Sequence, residues 1–341
     1  MRKTLTLLYS LCFFAVLATC APPTSEIHNG QIRAQIYLPD AQEGFYRGTR
    51  FDWSGVIYSL KFAGHDYYGL WFDKTDPTVH DFIYKGNQII AGPCTAITGP
   101  VDEFTPLGWD AAAPGGTFVK VGVGAIRKPN DLKPYDNFHL YETVDLGKWR
   151  LRQHRSSIEF TQDLRDPASG YGYVYNKTVS LAEGKPELVL RHTLKNTGTR
   201  TIETKVYNHN FLTLDHQAPG PGVVISLPFQ IHTSKPPTGS GLAEIRGNEI
   251  VYTRKLQDHD TVALSIEGFK DAASYNRIRI ENRAVGAGMT IESNRPLDSE
   301  ALWSIRTVLA MEPFIAISIK SGEEFTWTST YEYFTLPSER K

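Results

Sequence analysis

Apolar side chains recur at every second position through most of this chain, and that period constrains the fold more than any other feature. Ile32, Ala34, Ile36 and Leu38 form one such row, and Val56, Tyr58, Leu60 and Phe62 a second. Val119, Val121 and Val123 form a third; Tyr173, Tyr175, Lys177, Val179 and Leu181 a fourth; Leu188, Leu190, His192 and Leu194 a fifth. Successive side chains of a strand point to opposite faces, so this alternation buries one face of a sheet. The pattern continues in 261–269, 278–282, 302–312 and 324–334. Turn residues separate the rows: Gly55, Gly115-Gly116, Gly147, 196–198, 219–222, Pro236-Pro237, Gly247-Asn248 and Ser321-Gly322. No amphipathic helical pattern exceeds two turns. The chain therefore reads as all-β, a large antiparallel β-sandwich of many short strands. No shift in composition divides it, so a single domain is expected.

At 341 residues and 41% hydrophobic, the chain can bury a large core without cross-links. Arg2 and Lys3 precede an apolar run, and small residues follow it, the pattern of a signal peptide over 1–19. The run is shorter than the ~20 residues of a membrane span. Leu17-Ala18-Thr19-Cys20 is similar to a bacterial lipobox, with Thr19 where Gly, Ala or Ser is usual. The expectation is a lipid-anchored Cys20, a tether over 20–30, and one domain over 31–337. The protein would then lie in the bacterial cell envelope, periplasmic, touching the membrane through its anchor alone. Plain secretion is the alternative. Without residues 1–19, 34 basic residues remain against 37 acidic. That balance makes no field for a polyphosphate backbone, so no nucleic acid is expected as partner. Beyond Cys12 in the signal and Cys20, only Cys94 remains, which reads as a buried thiol with no disulfide available.

No metal-ligand spacing, phosphate loop or nucleophile elbow occurs, so neither a metal nor another cofactor is expected. Asp258-His259-Asp260 reads as a solvated turn, because three consecutive residues converge poorly on one ion. His192, alternating with leucines, reads as a core histidine. The stretch KVYNHNFLTLD, 205–215, raises a sharper question, since Asn-His-Asn stands where a strand would pack better with valine or isoleucine. As a strand it puts Tyr207, His209, Phe211 and Thr213 on one face and Val206, Asn208, Asn210, Leu212 and Leu214 on the other. An aromatic face with one titratable group suits a sugar, whose C–H faces stack on rings while its hydroxyls meet polar groups. A buried histidine satisfied by a neighbour is the other reading. In 302–314, Trp303, Ile305, Leu309 and Met311 form an apolar face, opposite Ser304, Arg306, Val308, Ala310 and Glu312. Pro313 removes a ladder donor and is expected to end the strand or place it at an edge, leaving Glu312 to line a cleft.

Together these stretches resemble the aldose 1-epimerase, or galactose mutarotase-like, superfamily. Residues 205–215 resemble its Asn-His strand, and 309–314 its late glutamate-bearing stretch. Residues 317–334 resemble its closing pattern, with Ser321-Gly322-Glu323 in place of Pro-Gly-Glu. Residues 48–64 resemble its opening strand pair. The resemblance implies a β-supersandwich whose concave sheet binds carbohydrate: a monosaccharide, a uronate or an oligosaccharide end. It implies an isomerase that interconverts anomers by acid–base ring opening, with His209 as acid and Glu312 as base. Asn208 or Asn210 would orient His209 or meet a hydroxyl. Arg50, Glu103, Trp109, Asp215 and Arg306 are the further candidates for substrate contact. Asp102-Glu103 also reads as a polar turn, Arg50 as a surface residue and Asp215 as a strand cap. The family's earlier histidine segment has no counterpart, since 92–110 contains no histidine. A carbohydrate-binding lipoprotein of the same fold, without catalysis, is the alternative. An accessory domain of a lyase or hydrolase is a third reading, but the helical toroid that accompanies such domains has no matching sequence here.

Overall fold

The computed structural model describes residues 21–337, and the expected signal segment and Cys20 lie outside them. The period-two rows become strands; only two short 3-10 turns interrupt the β-structure among the described residues. The larger sheet has ten antiparallel strands. Its first half runs Lys148–Gln153, Ser157–Asp166, Tyr171–Leu181 and Glu187–Asn196, next to the C-terminal Glu324–Thr335. It continues through Ala287–Ser293, Arg277–Asn282, Val223–Ser226 and Glu249–Tyr252 to Ala243–Arg246. The smaller sheet has five, in the order Thr261–Ile266, Ser299–Ile305, Val308–Ile319, Ile202–Phe211 and Gly99–Phe104.

The apolar rows explain why the two sheets face each other. Leu188, Leu190, Tyr331, Met289 and Ile291 of the larger sheet pack with Val262, Leu302, Leu309 and Met311 of the smaller. Toward the other end, Tyr173, Tyr175, Leu194 and Trp327 meet Phe104, Val206, Ile315 and Ile317. Residues 46–141 supply a second core on the outer face of the five-stranded sheet. Phe51, Trp71, Ile89 and Phe118 pack there with Val101, Phe211, Ile305 and Val308.

Two expectations change. The segment 20–30 is not all tether: Thr24–His28 is a strand paired in register with Ile32–Tyr37, and Ile27 is fully buried. The backbone ladder and the buried Ile27 side chain together dock the segment. Residues 302–314 are not one strand but a hairpin, turning at Arg306-Thr307 between Ser299–Ile305 and Val308–Ile319. Pro313 neither ends its strand nor lies at an edge. It pairs with Glu300 inside the sheet.

Candidate functional site

The hairpin reverses the expected faces. Directly opposed residues of an antiparallel pair share a face. Trp303 opposes Ala310, and Ala301 opposes Glu312, so Trp303 stands beside Glu312 rather than behind it. Tyr207 opposes Phe314 on one side and Glu103 on the other. The outer face of the five-stranded sheet therefore carries Glu103, Tyr207, His209, Phe211, Glu312 and Trp303.

Pro313 matters here. The ladder between Ile202–Phe211 and Val308–Ile319 runs from Ile202↔Ile319 to Tyr207↔Phe314, then resumes at Leu212↔Leu309. Proline has no N–H to give in between. In that gap the Asn210 Nδ2 donates to the Met311 carbonyl at 2.9 Å, a side chain doing the work of the missing ladder bond. His209 Nε2 and Glu312 Oε1 meet across the same gap at 3.1 Å.

The pair forms part of the lining of a cavity of about 390 Å³. Phe82, Phe138, Phe211 and Trp303 give it aromatic walls, and Arg50, Asp81, Thr95 and Lys235 are among its other polar groups. His209 stacks on Phe211, centroids 3.8 Å apart, and Phe51 and Trp303 meet it edge-on. Burial, helped by Arg50, holds the His209 imidazole well below its ordinary pKa. Burial pushes Glu312 up to about 7, with Arg50 opposing and Glu103 adding to the rise. At neutral pH the proton of this pair sits on Glu312 about as often as not, and His209 is neutral. The order of proton affinities is the reverse of an acid histidine and a base glutamate.

Arg50 reaches the cavity from a loop folded around a tyrosine hydroxyl. The backbone N–H groups of Arg50 and Phe51 donate to Tyr46 Oη, which itself donates to the Cys94 carbonyl. A Cβ on Gly48 would come within 2.5 Å of Tyr46 Oη and 2.6 Å of the Pro93 carbonyl, so only glycine closes this loop. The guanidinium lies near the Phe51 and Phe138 rings. Its Nε donates to Glu103 Oε2 at 2.7 Å and its Nη2 to Tyr207 Oη at 3.1 Å. Tyr207 Oη donates to the same carboxylate oxygen, and the buried Lys120 approaches Oε1 at 3.4 Å. Glu103 is thus no turn residue. It is a buried strand residue that positions Arg50.

The remaining candidates fall elsewhere. Asn208 and Asn210 point between the sheets, where Tyr331 Oη donates to both side-chain oxygens and Asn208 Nδ2 donates to Asp102 Oδ1 at 2.7 Å. They tie one sheet to the other and do not line the cavity, which answers why asparagine replaces an apolar residue there. Trp109 packs edge-on with Phe118, Tyr135 and Tyr141, away from His209. Asp215 accepts from the Asp66 N–H and pairs with His65 at 2.7 Å. Arg306, in the hairpin turn, donates to the Asp258 and Asn87 carbonyls. Sequence reasoning missed Phe82, Phe138, Lys235 and the placement of Trp303. For Trp303 no signal existed, because Arg306-Thr307 carries none of the residues that mark a two-residue turn.

No protein-family model matches this sequence, and no curated protein sequence matches it either. Solved structures do match. An aldose epimerase homologue from C. elegans superposes with a TM-score of 0.53 at 14% identity, over 93% of this chain and 100% of the other. A galactose mutarotase-like protein from Lactobacillus casei gives 0.50 at 13% identity, over 92% and 100%. A galactose mutarotase related enzyme from Lactobacillus acidophilus gives 0.51 at 11% identity, over 94% and 100%. Coverage this full at identities this low is a likeness of fold: the chain has the galactose mutarotase-like β-sandwich.

Proposed function

We propose that the protein is a carbohydrate isomerase that interconverts sugar anomers. One observation carries the reading: a histidine and a glutamate 3.1 Å apart in an aromatic-walled cavity. Ring opening needs one group to take the proton of the C1 hydroxyl and another to give a proton to the ring oxygen. The C1–O5 bond breaks with its electron pair going to O5, and C1 becomes a carbonyl. After rotation about C1–C2, the new hydroxyl adds to the other face and both protons return. The pair fills these two roles whenever it holds a single mobile proton, whichever member carries it. Both groups then exchange their mutual contact for hydrogen bonds to the sugar, while the rings stack on its C–H faces.

Exchange NMR on the α and β anomers of a panel of aldoses and uronates tests this, with wild type beside Glu312→Gln. The variant is expected to lose roughly 10²–10⁴-fold in rate. The rate should fall as pH rises through about 7, because the pair gives up its mobile proton there. A flat profile across pH 6–8, or an active variant, removes Glu312 from the chemistry. A second reading is a module that holds sugar without turning it over, for which the aromatic walls Phe82, Phe138, Phe211 and Trp303 are sufficient. Saturation transfer without faster exchange selects it.

A further inference from the structure

Two cations line the cavity, and they differ in company. Arg50 is bonded to Glu103. Lys235 makes no ion pair among the described residues. The acids of the cavity are engaged elsewhere: Thr95 Oγ1 donates to Asp81 at 2.9 Å, and Glu312 meets His209.

Lys235 also sits on an unusual piece of chain. After Val223–Ser226 of the larger sheet, the backbone crosses to the free edge of Thr261–Ile266, the outermost strand of the smaller sheet. Two antiparallel bridges hold it there, His232↔Glu267 and Thr238↔Ala263. Between them the arm advances six residues while the strand advances four, so the excess must arch off the edge. Pro236-Pro237 fix two φ angles of the arch, Thr233 Oγ1 donates to the Lys235 carbonyl at 2.7 Å, and Ser234 Oγ bonds to Glu267. The arch carries Lys235 and Pro236 into the cavity lining together with Ala263, Leu264 and Ser265 of the strand beneath.

Lys235 is exposed, so it lines the cavity where that cavity opens to solvent, and no carboxylate of the described residues is paired with its ammonium. A sugar hydroxyl offers it little that water does not, whereas an anionic group gives a charge-assisted hydrogen bond. Geometry sets where that group lies. Glu312 is two strands inward from Thr261–Ile266, an offset of ~10 Å at the spacing of neighbouring strands. That offset suits a pyranose bound with C1 at His209 and Glu312 and its C5 substituent turned toward the arm. We propose, resting on the isomerase reading of this same cavity, that Lys235 is a specificity-determining residue that selects sugars with an anionic group on C5 or C6, a carboxylate or a phosphate.

Calorimetric titration of the full chain tests this with galacturonate, galactose 6-phosphate and galactose, for wild type and Lys235→Gln, at low and high salt. One of the two anions should bind wild type roughly ten- to hundredfold more tightly than galactose, the size of one charge-assisted hydrogen bond. Which anion wins tells carboxylate from phosphate. Lys235→Gln should shrink the preference to within about threefold, and salt should weaken the anion more than the neutral sugar. Equal binding of galactose and both anions, or a preference intact in Lys235→Gln, overturns the inference. Lys235-dependent anion binding without faster anomer exchange leaves it standing and removes the isomerase reading. No binding of any sugar removes both.

Discussion

Two buried histidines of this protein have nearly the same surroundings and opposite meanings. His209 Nε2 meets Glu312 at 3.1 Å, and His192 Nε2 meets Asp102 at 3.1 Å. Each stacks on an aromatic ring, Phe211 for one and Trp327 for the other, and each leaves a buried Nδ1 without a partner. The difference lies in what else touches the carboxylate. Asp102 also receives the Lys177 ammonium and the Asn208 amide, both at 2.7 Å. Burial opposes its ionisation, but Lys177 and His192 outweigh burial and hold its carboxyl well below the usual range. Among the described residues Glu312 has no Lys or Arg bonded to it, so burial prevails and its proton is available near neutrality. A histidine–carboxylate contact is therefore not a site in itself. A fixed cation turns it into a strut, and the lack of one beside a cavity turns it into a proton store.

The comparison breaks most visibly if its cation is removed. Lys177→Met strands Asp52 and Asp102 together in the core, both within 3.3 Å of the present ammonium. The unfolding free energy from denaturant titration should drop by ~3–5 kcal/mol, as for other broken buried pairs. A loss under ~1 kcal/mol would mean the strut carries little. Glu300 is the limiting case, a carboxyl with no partner at either oxygen among the described residues, pushed up to about 8 by burial alone. The unfolded chain releases that proton near pH 4.5 and the folded chain retains it to about 8, so stability falls as pH rises between them. Glu300→Gln should therefore gain ~2–4 kcal/mol over wild type at pH 8.5 and almost nothing at pH 4.5. An equal change at both values would assign the effect to packing. The smallest effect tests the side of the strand given to the asparagines. Tyr331→Phe leaves two amide oxygens short of a donor and should cost ~1–2 kcal/mol. Sugar affinity should stay put; a large change in it would bring Asn208 and Asn210 back into the site.

How much of this could be read in advance differs residue by residue. The row Tyr173, Tyr175, Lys177, Val179, Leu181 already pointed Lys177 inward, and the structure buries it completely. The rows around His209 gave the right face for Tyr207 and Phe211. The resemblance paired His209 with Glu312, and the two side chains do meet. Arg306 and Asp215 were misplaced because their neighbours in sequence are not their neighbours in space. Glu103 reads from sequence as a substrate contact or a polar turn, yet Asp102 and Glu103 are both buried in Gly99–Phe104, one serving each face.

By itself the sequence determined the all-β class, the sandwich and the strand that carries the histidine, because a period of two is a local property that each strand states for itself. Only the tertiary structure decided what stands beside Glu312. That rests on a hairpin turn with no turn signature, a proline tolerated inside a sheet, and an arched arm arriving from the other sheet. None of these has a local sequence period, since each is fixed by backbone pairing between residues far apart in the chain.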